Sequence, residues 1–289
     1  MEYCADQEIF YYSTLSCSAL SFFGSLTVIV AFLKLKRYQT YSLRLLFYLS
    51  ISDFFKAIGL SVPCFYLTNE IYIKIAAFMG RTGNLCSSLW AVAIVNALYK
   101  IVVNGTQKFD YHHRFWVILT IGLIAFNSGI SFLDIYSNIV STCTFIDSFL
   151  GNALRFGTIF VPDWLLLIYN MFAYFKVQNK IKTLPLTIGK SLAIKRLFVF
   201  SMISFLCALP LSIIRIMQIF YQKSCLIAYL GIITFSANSL RGFINALAYL
   251  WAFKNFASLI GAQVNFERSI SINSSETEGK NLLYESFTN

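Results

Sequence analysis

Charge is what this chain has least of. Only 12% of its 289 residues are Asp, Glu, Lys or Arg, against 57% of hydrophobic type, and a soluble domain carries about a quarter charged residues. A water-facing surface cannot be built from half that supply, and a large soluble α-protein with a greasy core fails on the length of the apolar runs. Proline and glycine are few as well, at 4 and 14, so the chain is neither low-complexity nor collagen-like. The two histidines, His112 and His113, stand side by side with no Cys or acidic cluster nearby and make a poor metal site. No nucleophile–base constellation, phosphate-binding glycine loop or metal-ligand spacing is present, so neither catalysis nor a cofactor is expected. The first residues carry Glu2, Asp6 and Glu8 but no basic residue. A cleavable signal peptide wants a positive start and a short apolar run, so an uncleaved anchor is expected.

Long apolar runs are what the chain has instead. Crossing about 30 Å of hydrocarbon at 1.5 Å per residue takes roughly 20 mostly apolar residues. Seven stretches qualify, at 9–33, 45–67, 82–104, 115–136, 156–175, 197–220 and 226–253. Backbone polar groups in hydrocarbon must be satisfied within the segment, so each stretch is read as a helix. A barrel would instead show segments of about ten alternating residues. The expected fold is an all-α membrane protein, a seven-transmembrane-helix bundle over 9–253, preceded by a short outer N-terminus (1–8) and followed by a tail (254–289).

The net charge of +10 could suggest nucleic-acid binding, but its distribution excludes that. One side of the spans holds Lys74, Arg81, Arg155 and Lys223. The other holds sixteen basic residues: four in the first loop, then Lys100, Lys108 and Arg114, six around the third loop, and three in the tail. Basic residues in short loops mark the cytosolic side. The N-terminus is therefore expected outside and the C-terminus in the cytosol, in a multi-pass protein of the plasma membrane. The glycosylation-type triplets beginning at Asn104 and Asn273 fall on the cytosolic side and should stay unmodified.

The cysteines follow the same map. Cys17, Cys64 and Cys207 lie within spans as packing residues. Cys4, Cys86, Cys143 and Cys225 face an oxidising compartment. A Cys86–Cys143 bridge would pin the second outer loop over the mouth of the bundle, and Cys4–Cys225 is a second candidate, since sequence does not fix connectivity.

Ionisable groups in mid-membrane cost at least ~2.5 kcal/mol on insertion scales and persist where they face the interior with a partner. Asp53 lies near mid-depth of the second span with Lys56 one turn further out, and Arg241 and Asn245 lie one turn apart in the seventh. These depths allow Asp53 to pair with Lys56 or Arg241 and to bond Asn245. The network reads either as a fixture of helix packing or as a switch whose pairing changes with activity. Asp163, after Pro162, and Arg215 lie in the outer halves of the fifth and sixth spans. Either they snorkel to the interface or they line an outward ligand cavity. The slight excess of cations in the spans tilts towards an anionic ligand. Pro210 should kink the sixth span.

Five stretches, in order, carry a resemblance. The second span reads Leu49-Ser50-Ile51-Ser52-Asp53 and the third Leu89-Trp90 followed by Asn96-Ala97-Leu98-Tyr99. The fifth has Pro162, Trp164 and Tyr169-Asn170, running into a basic loop. The sixth has Leu206-Cys207-Ala208-Leu209-Pro210 with Arg215 beyond, and the seventh Ser239-Leu240-Arg241-Gly242-Phe243-Ile244-Asn245. Together they resemble the cyclic-AMP-receptor-like family of G-protein-coupled receptors, best known from slime-mould chemotaxis, over about 45–252. The resemblance implies a seven-helix receptor with an extracellular ligand and a heterotrimeric G protein docking on the second and third cytosolic loops. It makes Trp90, Asp163 and Arg215 candidate ligand-facing residues. Asn96 joins Asp53, Lys56, Arg241 and Asn245 as candidate core polar positions, and Lys180, Lys182, Lys190, Lys195 and Arg196 face the G protein. The chain departs from the family where Arg241 stands in place of Gln. The Asp/Glu-Arg-Tyr signature of rhodopsin-like receptors is absent from the end of the third span.

The six basic residues around the third loop could also attract anionic lipid. Residues 253–262 suit a short amphipathic helix on the membrane. Ser269, Ser271, Ser274, Ser275 and Thr277 lie in a polar tail expected to be disordered, where phosphorylation would add charge. A seven-helix transporter or channel is the alternative, although no internal repeat with matching Pro- or Gly-broken helices is visible. A retinal protein would need a Lys in the seventh span, and 226–253 contains none. A scaffold without ligand-dependent signalling is the last alternative.

Overall fold

The structure, a computed structural model, describes residues 7–34, 41–63, 69–105, 110–132, 136–137, 143–145, 149–183, 188–220 and 225–251. The chain divides into two units, Met1–Ala248 and Tyr249–Asn289; of the second, only 249–251 is described. The architecture is helical: α1 (Gln7–Lys34), α2 (Tyr41–Ser61), α3 (Glu70–Val102), α4 (Asp110–Ser131), α5 (Phe149–Arg155), α6 (Val161–Thr183), α7 (Ile188–Phe220), α8 (Cys225–Ser239) and α9 (Arg241–Trp251). A small antiparallel ribbon interrupts it, β1 (Tyr136–Ser137) on β2 (Thr144–Phe145), with Tyr136 opposite Phe145. It lies beside α3 and α5.

Five helical segments are long and apolar enough to cross a membrane: Glu8–Lys34, Glu70–Val102, His113–Ser131, Phe149–Lys182 and Val199–Met217. A sixth is present if α8 and α9, bent by 41° at Leu240, count as one. These are the helices of a multi-pass membrane protein, and their outer faces agree: Ile118, Ile168 and Leu206 stand more than half exposed with no polar cover. Among the described residues, α2 is the expected span that misses this criterion, because Arg44, Asp53 and Lys56 put three charges into 21 residues.

α3 is the core of the first unit, packing against α2, α4, α6 and α7, while α1 packs on α2 and α8. Its length has a local cause. Asn69 caps it, its side chain accepting from the Ile71 amide at 2.9 Å, which satisfies one of the free amides of the first turn. Helix then runs 33 residues to a terminus followed by Gly105, at φ +65°, where a left-handed residue costs least. The expected span at 82–104 therefore starts twelve residues too late. Arg81, expected in an outer loop, is instead buried in α3 and donates to the Asn127 carbonyl of α4 at 3.1 Å.

The helices come close because small residues face each other, the usual solution where no hydrophobic gain separates protein from lipid. A Cβ at Gly59 would strike the Gly80 backbone, and one at Gly83 would stand 2.5 Å from the Lys56 amide nitrogen. On α1, Thr14, Ser18, Ser21 and Ser25 form a buried stripe at helical spacing. Ser21 and Ser25 lie where a Cβ on Gly242 of α9 would fall.

Candidate functional site

Asp53 is the hub of the polar core. Its carboxylate is 1% exposed and receives three groups from two other helices. Ser87 of α3 donates to Oδ1 at 2.6 Å, Asn245 of α9 donates to Oδ2 at 2.8 Å, and Arg241 Nε stands 3.4 Å from Oδ1. Arg241 is itself fully buried. Its other guanidinium nitrogens reach α3, at the Ser88 hydroxyl (3.5 Å) and the Asn84 carbonyl (3.3 Å). The sequence left Asp53 a choice of Lys56 or Arg241, and the ion pair forms with Arg241.

Lys56 has a different role. Its ammonium donates to the Asn238 carbonyl at 2.8 Å. That carbonyl belongs to the last turn of α8, next to the break at Leu240. The Ser236 carbonyl of the same turn still receives the Leu240 amide at 3.0 Å, and the acceptors at a helix end are the ones left for side chains to satisfy. A cation at a helix C-terminus also opposes the negative end of its dipole. The residues 225–251 contain no proline, and a side chain inserted into the helix ladder is a recognised cause of a bend. Lys56 thus caps α8 at the bend.

The network extends to α6 through side-chain amides. Asn238 donates to Asn84 Oδ1 at 3.4 Å, and Asn84 donates to Asp163 Oδ2 at 3.1 Å. Asp163 owes its inward aim to the backbone before it. Pro162 cannot donate to the carbonyl one turn earlier, and a five-residue π-helical stretch, Phe156–Phe160, precedes it. Such π-turns re-aim the side chains that follow and recur at functional positions. Arg241 and Lys56 both act electrostatically on Asp163. Two formal negative and two formal positive charges are thereby gathered from α2, α6 and α9.

The other expected site residues lie elsewhere. Asn96 is separate from the Asp53 cluster; its Oδ1 accepts from Tyr169 at 3.0 Å, joining α3 to α6. Trp90 is 3% exposed and stacks on Tyr48 at 4.6 Å, with His113 against the same tyrosine at 5.5 Å. It is packed within a ring cluster rather than facing a cavity. Arg215 sits over the Phe235 ring at 5.6 Å, a cation–π contact between α7 and α8. Lys180 and Lys182 are exposed in the last turn of α6, and Lys190, Lys195 and Arg196 fall within α7. Ser269, Ser271, Ser274, Ser275, Cys4 and the helix expected at 253–262 lie outside the described residues.

The Cys86–Cys143 bridge does not form. Cys86 is a free, buried thiol, whereas Cys143 and Cys225 are disulfide-bonded. The reason is the early start of α3, which places Cys86 sixteen residues, or about 24 Å, down the helix axis. A loop residue does not reach that depth.

Several members of the site carry no charge and were not singled out in the sequence: Asn84, Ser87, Ser88 and Asn238. Their spacing was the available signal, since Asn84, Ser87, Ser88 and Ala91 recur at three- and four-residue steps on one face of a span. A further polar tie joins α6 to α7, where the Ser201 hydroxyl donates to Asn170 Oδ1.

No known family model matches the chain. It is 27% identical over 177 residues to a protein of Arabidopsis thaliana named G-protein coupled receptor 1, an alignment covering 57% of this chain and 50% of that protein. The chain thus spans about half the length of the curated relative it matches. The comparison establishes a distant likeness to a protein bearing a receptor's name, on a chain that is a multi-pass helical membrane protein.

Proposed function

We propose that the chain is a G-protein-coupled receptor of seven spans, related to the cyclic-AMP-receptor-like family, with its N-terminus outside the plasma membrane. The observation that carries the reading is the ion pair of Asp53 and Arg241, buried between α2, α3 and α9, in a chain whose distant relative is named as a receptor. Charges of this kind in hydrocarbon are costly and mark functional positions. Here they bind together helices that a conformational change would have to separate. The span count rests on α2: its Asp53 and Lys56 are buried, so lipid would meet mainly its apolar side chains. With Arg81 buried within α3, the outer side keeps Lys74 in the first turns of α3, Arg155 at the end of α5 and Lys223, which strengthens the basic bias of the opposite side. Lys180, Lys182, Lys190, Lys195 and Arg196 then form the G-protein-facing surface, and an extracellular ligand acts from the other end. This reading assigns no catalytic residue and no cofactor.

The test is display of the chain on cells with a ligand screen, cyclic nucleotides included, read as nucleotide exchange on heterotrimeric G proteins. Wild type should respond to an active ligand, and Asp53→Asn should shift the response. Solute flux that tracks expression, with no exchange for either protein, would establish the transporter or channel alternative.

A further inference from the structure

Between α3, α6 and α7 lies a cavity of about 20 Å³, lined by Ser88, Ala91, Asp163, Asn170, Ser204 and Phe205 among others. Two of these residues hold a buried polar atom that has no hydrogen-bond partner by geometry among the described residues, Asp163 Oδ1 and Ser204 Oγ, although the Ser88 hydroxyl also acts on the Asp163 carboxyl. Ser204 is 6% exposed. Its behaviour differs from that of its neighbour on the same helix: Ser212 satisfies its hydroxyl on the carbonyl one turn back, at 2.9 Å, whereas Ser204 makes no such bond. The other oxygen of Asp163 is taken by Asn84, and Asn170 Oδ1 by Ser201.

We infer that this cavity holds one ordered water, donating to Asp163 Oδ1 and accepting from the Ser204 hydroxyl. The volume exceeds the ~10–15 Å³ that a water needs and is too small for any group with a carbon skeleton, and the two orphaned atoms supply the minimum of about two partners. A divalent cation would need about six oxygen ligands, which this lining does not offer. Arg241 and Lys56 act on the same carboxylate and repel any cation. The carboxylate repels an anion. The water completes a polar link from α7 through Asp163, Asn84 and Asn238 to the bend in α8 and α9, so α7 is joined to the charged core by a molecule that can leave.

X-ray radiolysis of the full chain in nanodiscs tests this, because hydroxyl radicals formed from an internal water oxidise the side chains around it. Phe205 and Leu166, at the cavity, should be oxidised several-fold more than Leu206 and Leu165 on the outward faces of the same helices. Ser204→Val, which removes a partner and fills the space, should cut the Phe205 and Leu166 signal to the level of Leu206. Ala91→Val, filling it from α3, should do the same, each variant first shown to be monodisperse. Wild-type oxidation at Phe205 no greater than at Leu206 overturns the inference even if neither variant folds. Undiminished oxidation in both folded variants does so as well.

Discussion

Arg241 and Asp53 face each other across 3.4 Å with neither side chain exposed. Asp53 keeps two strong donors besides the guanidinium, Ser87 and Asn245. Arg241 keeps only bonds of 3.3 and 3.5 Å.

That imbalance sets the first prediction. Asp53→Asn leaves a buried guanidinium without its countercharge and should destabilise by about 3 kcal/mol. Arg241→Gln should cost less, because the carboxylate is still hydrogen-bonded. The double variant should fall short of the sum by at least ~1 kcal/mol. Thermal unfolding in detergent decides it, and strict additivity would mean the pair is not coupled.

Close helix approach gives a second. Gly83→Ala on α3 pushes a methyl into the Lys56 backbone and should cost about 1–3 kcal/mol. Gly122→Ala and Gly129→Ala on α4, where a Cβ meets nothing within 4 Å, should be neutral or gain up to ~1 kcal/mol from helix propensity. Equal behaviour of the three variants in a melting series would contradict the α2–α3 contact.

Thiol chemistry gives a third. In the denatured, unreduced protein, maleimide should modify Cys17, Cys86 and Cys207, while Cys143 and Cys225 should react only after reduction. In the folded protein Cys86, 4% exposed, should stay unmodified. Peptide mass spectrometry reads both states, and a Cys86 that needs reductant would restore the bridge expected from sequence.

The proposed orientation gives a fourth. An epitope inserted at 184–187 should meet antibody on cells only after permeabilisation. Asn104 should carry no glycan although its side chain is exposed. Antibody binding to intact cells would invert the topology.

The apolar runs located the helices because hydrocarbon enforces length and internal hydrogen bonding, both of which are written locally. α1, expected at 9–33, occupies Gln7–Lys34. The ends of α3 were not legible in the same way. Its first turns carry Lys74 and Arg81, which read as loop until Asn127 supplies a buried acceptor. The charged core was half legible: depth placed Asp53, Arg241 and Asn245 together, but not the break at Leu240 that gives Lys56 its acceptor. Neutral members such as Asn84 and Ser87 stayed hidden, since small polar residues in a span are also ordinary packing residues. The π-helical turn before Asp163 is a backbone event with proline as its sequence trace.

A proline bends a helix permanently, because the missing donor is covalent. The angle between α8 and α9 has no such origin; at the joint an ammonium from a neighbouring helix rests on the Asn238 carbonyl. Arg241 is the first residue past the joint, so the ion pair with Asp53 and the Lys56 contact are both anchored on α2. The joint between α8 and α9 is thus tied to α2.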